Sequence, residues 1–412
     1  MPRNYSITVL AAAVLASICI IAFTYTMDPY RMYPEVPGLS PGTSVDLLLV
    51  MRLQAPYAVE HVRPDVLITG NSRSATFPPE LLAQGNEASY NASLPGASLQ
   101  EVRRMVEHAH AINPLKQLFL GLDPGIFLKS AEQNSTAEGE SSKHKVDPGP
   151  QRLEKFFSAN LVPDDPYRYR KFHPSLSERW RYTFSRFKDF GRSLFSLDAV
   201  EDSWNMLFGN GSAGSSYHDN GTWDLEGKSP SPPMARYLHL VRKKYVRSIN
   251  EEASGINVDG LNVLLDFTAE HQIPTTLFLL PMQGLVLNTI ELAGTWEQHL
   301  QWQRDVVELV FAHDSDTTIF GVEDQARVVL DKVGTSQPLF VDGSHLTRKA
   351  GDEILSCLVA QPCQLGFQPT ALTRHSIDAY LKQTEKLRKQ YAKENPKHLA
   401  RLREVLGLDK SS

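Results

Sequence analysis

Five unbroken apolar runs set the strongest limit on what this chain can fold into. They are "DVLIT" (65–69), "ASYNASL" (88–94), "QLFLGL" (117–122), "TTLFLL" (275–280) and "TTIFGV" (317–322). A strand with one wet face alternates apolar and polar residues, whereas an unbroken short run suits a strand covered on both faces. Stretches with helical spacing separate the runs. "SLQEVRRMVEHAHAIN" opens with Ser98 and carries Glu101 three residues later, the reciprocal capping pattern of a helix start. "DGLNVLLDFTAEHQ" (259–272) precedes the fourth run, "WEQHLQWQRDVVELVFAH" (296–313) the fifth, and "TRKAGDEILSCLVA" (347–360) comes after it. This alternation predicts an α/β fold with a parallel sheet. Five such strands suit a flavodoxin-like order in three α/β/α layers, with sites beyond the carboxyl ends of the strands.

The N-terminus follows a different logic. No charged residue occurs from Asn4 to Met27, and residues 7–25 read "ITVLAAAVLASICIIAFTY". About 20 such residues, at 1.5 Å each, cross a hydrocarbon core of about 30 Å. Arg3 ahead of the run favours an N-in orientation. The stretch reads as an uncleaved anchor. A cleaved signal peptide is the alternative, but no small-x-small site follows the run. Either way the body is exported. "MDPYRMYPEVPGLSPG" (27–42) then leads off the membrane as a Pro/Gly-rich linker.

The segments expected are an anchor (1–27), a linker and first helix (28–64), the first part of the core (65–129), an insertion (130–256), the second part of the core (257–365) and a basic amphipathic tail (366–412), its helix broken near Pro396. The insertion starts with a polar stretch (130–150) expected to be a loop. It continues with residues 167–192, which hold eight Lys/Arg, two acids and eight aromatics. That stretch reads as an amphipathic helix covering the site with its basic face in solvent. Binding of an anionic polysaccharide or of lipid headgroups is the other reading.

A net charge of −5 over 412 residues gives no whole-chain argument for nucleic acid, and export disfavours it further. Cys19 lies in the anchor. Cys357 and Cys363 either bridge or remain two separate buried thiols. His108 and His110 lie two apart on a helix and so face differently, which disfavours a shared metal. No zinc-ligand spacing occurs, and neither a metal nor another cofactor is expected.

Chemistry concentrates at the end of the first run. Ser72 follows Gly70 in "TGNSRS", at a strand-to-helix turn on the carboxyl edge of the sheet. A hydrolase elbow would read GxSxG, and the second glycine is missing here, so the stretch alone reads as a polar turn. Near the other end, "FVDGSHLTRKAG" places Asp342 three residues before His345. In a turn or helical conformation the carboxylate holds one imidazole nitrogen and leaves the other to take a serine proton. Met282 and Gln283, at the carboxyl end of the fourth run, are candidates for the pocket wall.

Gly70-Asn71-Ser72-Arg73 together with Asp342-x-x-His345 resembles the SGNH (GDSL-type) hydrolase superfamily. More narrowly, the chain looks like its membrane-anchored bacterial branch, which includes proteins of alginate O-acetylation and of D-alanyl transfer to teichoic acids. "MDPYRMY", "YNASLPGAS" and "GLDPGIF" look like that branch too, and the likeness covers residues 27–130 and 255–360. The resemblance implies Ser72 as nucleophile, His345 as base and Asp342 as its orienter. The backbone N–H groups of Ser72 and Gly96 would form the oxyanion hole. The superfamily's further donor is an asparagine in Gly-x-Asn-Asp. Here the matching stretch is Gly121-Leu122-Asp123, and a carboxylate would repel a developing oxyanion. Arg73 is the expected counter-charge for Asp123, and Asn91 the expected replacement donor. A weak site that only binds or scaffolds is the remaining reading. The resemblance further implies an inner-membrane, periplasm-facing serine esterase or O-acyltransferase. Its expected substrate is an envelope polysaccharide, its expected acyl group acetyl, and its expected acyl supplier a membrane acyltransferase partner.

Overall fold

The computed structural model describes residues 3–33, 47–127, 165–208, 217–223, 259–313, 316–331, 338–359, 366 and 368–408. The polar stretch 130–150, most of the linker, residues 224–258 of the insertion and Cys363 lie outside the described residues. Twelve α-helices occur among those described. They are α1 (Arg3–Met27), α2 (Leu47–Val62), α3 (Leu99–Ile112), α4 (Leu176–Phe195), α5 (Leu197–Phe208), α6 (Asp259–Glu270), α7 (Gly284–Leu292), α8 (Trp296–Ala312), α9 (Ala326–Val329), α10 (Arg348–Leu358), α11 (Ile377–Glu394) and α12 (Pro396–Leu406). The strands are β1 (Val66–Thr69), β2 (Ser89–Asn91), β3 (Gln117–Leu122), β4 (Thr275–Leu279), β5 (Thr317–Gly321) and β6 (Thr370–Ala371).

The chain divides into two compact units. One draws on Met1–Arg63, Glu107–Asn113 and Asn134–Tyr217, the other on Pro64–Val106, Pro114–Gln133 and His218–Ser412. The second unit holds the sheet, in the order β2-β1-β3-β4-β5-β6. Strands β1 to β5 are parallel, each in the place of one of the five apolar runs. Among the described residues the sheet has six strands, which corrects the expected five. β6 pairs antiparallel with β5 through Phe320↔Ala371 and Gly321↔Thr370. Two residues are too few to leave a periodic signal in sequence.

All four residues of β1 are buried, as an unbroken apolar run requires. Phe77, just beyond it, packs edge-on against Phe278 of β4 and tilted against Phe119 of β3, with ring centroids 5.7 Å and 5.4 Å apart. Each such aromatic pair adds about 0.5–1.5 kcal/mol beyond its burial. The capping box at α3 forms: Ser98 Oγ accepts the Glu101 N–H (3.3 Å) and Glu101 accepts the Ser98 N–H (3.0 Å). Helix α7 is buried from Gly284 to Ile290, so its sequence carries no amphipathic stripe to announce it. From β1 the chain pairs β2 on one side and later β3 on the other. Where the chain order reverses, the carboxyl ends of neighbouring strands leave a crevice.

In the first unit, α1 is long and apolar enough over Tyr5–Met27 to cross a membrane. Its residues 5–16 are all exposed, while Thr24 and Met27 are buried. Thr24 Oγ donates to the Leu194 carbonyl at the end of α4 (2.8 Å). Arg168, fully buried, donates from Nε and Nη2 to the two carboxylate oxygens of Asp189 (2.6 and 3.1 Å), and the Tyr57 hydroxyl donates to the same carboxylate (3.2 Å). His108 is buried. Its Nδ1 accepts the Arg170 N–H (2.8 Å), so Nε2 carries the hydrogen and faces the Pro56 carbonyl (2.9 Å). Burial pushes this imidazole below its ordinary pKa, and its role is structural. On α4 the buried residues are Ser185, Asp189 and Ser193. The expected amphipathic helix is present, with Arg179, Arg181 and Lys188 exposed, but the face it buries is polar rather than apolar.

Candidate active site

The turn after β1 is built from close approaches. Gly70 has φ +146°, and a Cβ there would lie 2.2 Å from Ser74 Oγ and 2.7 Å from the Gly121 carbonyl. No side chain fits, so the turn can press against the end of β3. Successive tight turns follow, with Ser74 N–H donating to the Asn71 carbonyl (3.0 Å) and Phe77 N–H to the Ser74 carbonyl (3.3 Å). From Val66 to Pro79 every residue is buried except Ser72. The turn thus presents one hydroxyl and hides everything else.

His345 comes to that hydroxyl from 273 residues along the chain. Its Nε2 lies 3.0 Å from Ser72 Oγ, and its Nδ1 lies 2.8 Å from Asp342 Oδ2. The Nδ1–H therefore donates to the carboxylate and Nε2 faces the serine as acceptor. The histidine sits in a tight loop closed by the Phe340↔Leu346 bridge. Asp342 Oδ1 accepts the backbone N–H of Ser344 (3.0 Å) and of His345 (2.9 Å), so this carboxylate folds its own loop while orienting the ring. Burial pushes the Asp342 carboxyl up, but the charge and hydrogen bond of His345 and these backbone donors outweigh it and hold it well below the usual carboxylate range.

Asp123, at the end of β3, is buried and makes an ion pair with Arg73 Nη1 (3.0 Å). The same oxygen, Oδ2, accepts from Asn71 Nδ2 (2.6 Å), and Oδ1 has no partner among the described residues. Arg73 does more than balance charge. Its Nε donates to the Ser344 carbonyl (2.9 Å), and its Nη2 to the carbonyls of Leu280 (2.9 Å) and Pro281 (2.6 Å). One guanidinium thus ties the serine turn to the ends of β3 and β4 and to the histidine loop. Sequence reasoning placed Arg73 against Asp123 but missed this bracing role, because carbonyl acceptors leave no trace in residue type.

The expectation that Asn91 supplies an oxyanion donor is corrected. Its amide is spent on the carbonyls of Ser74 (3.0 Å) and Phe77 (2.8 Å), while its oxygen accepts the Ser93 N–H (3.0 Å). Asn91 braces the serine turn from β2. Gly96 has φ +58° and is exposed in a turn closed by Ala97 N–H to the Leu94 carbonyl (3.1 Å). Among the described residues neither the Gly96 N–H nor the Ser72 N–H has an acceptor, so both are available to a ligand. Met282 and Gln283 are buried, and the Gln283 N–H holds the Gly343 carbonyl beneath the histidine loop (3.0 Å). Among the described residues no group of three or more His, Cys, Asp or Glu could hold a metal ion. Cys357 is disulfide-bonded and Cys19 is free, which leaves Cys363, outside the described residues, as the remaining cysteine.

A serine hydrogen-bonded to a carboxylate-oriented imidazole can do nucleophilic acyl chemistry. No protein-family model matches the chain, and no curated protein does either.

Proposed function

We propose that this protein is a membrane-anchored SGNH-like serine esterase or O-acyltransferase acting on an acyl ester of an envelope polysaccharide. The observation that carries the reading is the Ser72–His345–Asp342 relay, at 3.0 and 2.8 Å, ending on the one residue of the β1 turn that is not buried. Ser72 Oγ attacks the ester carbonyl as its proton passes to His345 Nε2. Asp342 keeps Nδ1 protonated and stabilises the imidazolium that forms. The Ser72 and Gly96 N–H groups are the donors offered to the oxyanion. Collapse expels the alcohol, which takes the proton back from His345, and leaves an acyl-serine. Water then gives hydrolysis, and a sugar hydroxyl gives transfer. This chemistry uses the protein's own residues, with no metal or nucleotide. The order β2-β1-β3-β4-β5 of the parallel strands supports a flavodoxin-like core, with the site at its chain reversal. The apolar α1 supports a membrane anchor, and Arg3 ahead of it favours the N-in orientation that would put the sheet unit in the periplasm, with a membrane acyltransferase as the donor of this reading.

One observation favours a second reading, a silent glycan-binding or assembly subunit. The Asp123 carboxylate stands where the superfamily keeps an amide donor, and losing one such donor costs about 10²–10³ in rate. A fluorophosphonate probe separates the two. Labelling that disappears in both Ser72→Ala and His345→Ala supports the enzyme. An unlabelled, folded parent protein refutes it in favour of the binder.

A further inference from the structure

Helix α4 is inside out. At 100° per residue, Leu176, Trp180, Phe184 and Phe187 fall within an arc of about 80°. All four are exposed, Trp180 by 69%. The opposite face carries Ser185, Asp189 and Ser193, and these are the residues the helix buries. Helix α5 repeats the inversion: it buries Ala199 and Ser203 and exposes Trp204 and Phe208. A soluble helix turns its apolar stripe to the core, so this face calls for an apolar exterior.

Two further observations say which exterior. Within the same compact unit, α4 and α5 pack against α1, and Thr24 in the last turn of α1 bonds the Leu194 carbonyl where α4 passes into α5. The exposed apolar face therefore continues from the exposed Ile21 and Tyr25 of α1. Exposed Arg179, Arg181 and Lys188, the last paired with Asp165 (3.4 Å), flank the aromatic stripe, and a cavity of about 450 Å³ beside it is lined by the Lys171–Glu178 pair and by Arg170 and Arg179, neither of which has an acidic partner among the described residues. An aromatic band edged by cations is the pattern that interfacial helices present to anionic lipid headgroups.

We propose that α4 and α5 form an interfacial helical pair, seated in the bilayer surface beside the anchor, with aromatic faces against acyl chains and flanking cations among anionic headgroups. The proposal rests on the anchored reading of α1 and adds a second, non-spanning membrane contact.

The tryptophans provide the test. Of five, Trp223, Trp296 and Trp302 are buried, whereas Trp180 and Trp204 are exposed on this face. The full chain is reconstituted in phosphatidylethanolamine–phosphatidylglycerol vesicles with brominated acyl chains, floated, and read by tryptophan emission. Brominated lipid is expected to quench a component that disappears in Trp180→Phe/Trp204→Phe, and aqueous iodide is expected to leave that component largely untouched. A floating chain whose component resists brominated lipid and yields to iodide overturns the proposal. A component that resists both, with self-association in the vesicles, also overturns it and assigns the face to a second copy. Failure to float refutes the anchor reading and removes this proposal with it.

Discussion

Substituting Arg73 by methionine should uncouple several parts of the site at once, and its cost can be worked from the bonds lost. The guanidinium donates to Asp123 Oδ2 and to the carbonyls of Ser344, Leu280 and Pro281, at 2.6–3.0 Å, and is 5% exposed. Removing one partner of a buried pair costs about 3–5 kcal/mol, since the other charge stays behind. Each carbonyl left without a donor adds about 1–3 kcal/mol, less what water entry recovers. Arg73→Met should therefore cost about 5 kcal/mol or more, comparable with the whole net stability of a domain. Asp123→Asn strands the guanidinium charge and should cost about 3–5 kcal/mol, less than Arg73→Met because the arginine keeps its three carbonyls. The double variant carries no stranded charge, so it should be more stable than the sum of the singles predicts, by about 2 kcal/mol. The assay is urea unfolding followed by the buried Trp223, Trp296 and Trp302, which all belong to the same unit as the site. A Trp180→Phe/Trp204→Phe background removes the signal of the other unit. Additivity within about 0.5 kcal/mol would mean that the pair is not coupled, and the bracing argument would fail.

Asn91→Ala should lower stability by about 2–4 kcal/mol, since it strands the carbonyls of Ser74 and Phe77. A variant with parental stability but a rate down about 10²–10³ would instead restore Asn91 as an oxyanion donor. Asp28 and Asp202 are both pushed up to about 6 by burial. A carboxyl raised on folding contributes stability that is present below its unfolded value, near 3.8, and is lost as pH rises through about 6. Their unit should melt higher at pH 5 than at pH 7 by calorimetry, and Asp28→Asn/Asp202→Asn should flatten that difference. Asp342 has the opposite sign: its contribution is present above the unfolded value and is lost only in stronger acid.

The legible parts of the fold were those where one physical demand dictates residue type. Burial on both faces writes itself as an unbroken run, so β1, β3, β4 and β5 could be read nearly to the residue. Ser98 and Glu101 announced α3 because a free helix end needs those side chains. In the site, the Ser72, His345 and Asp342 side chains come together in the order the spacing suggested. What stayed hidden depends on partners rather than types. Asn91 looked like a spare donor because its two carbonyl acceptors are backbone. Periodicity placed the apolar stripe of α4 but said nothing about which side of the helix meets the core. Helix α7 is buried nearly all round, so no stripe existed to be read.

The reach of Arg73 to the Ser344 carbonyl also bears on the order of events during synthesis. The serine turn leaves the ribosome some 270 residues before the histidine loop, and until residue 344 arrives the guanidinium lacks one of its four anchors. The nascent chain thus carries a hydroxyl with no base beside it and a turn with an incomplete brace. The hydroxyl gains its imidazole partner and the turn its fourth anchor from the same short loop, so one segment completes both.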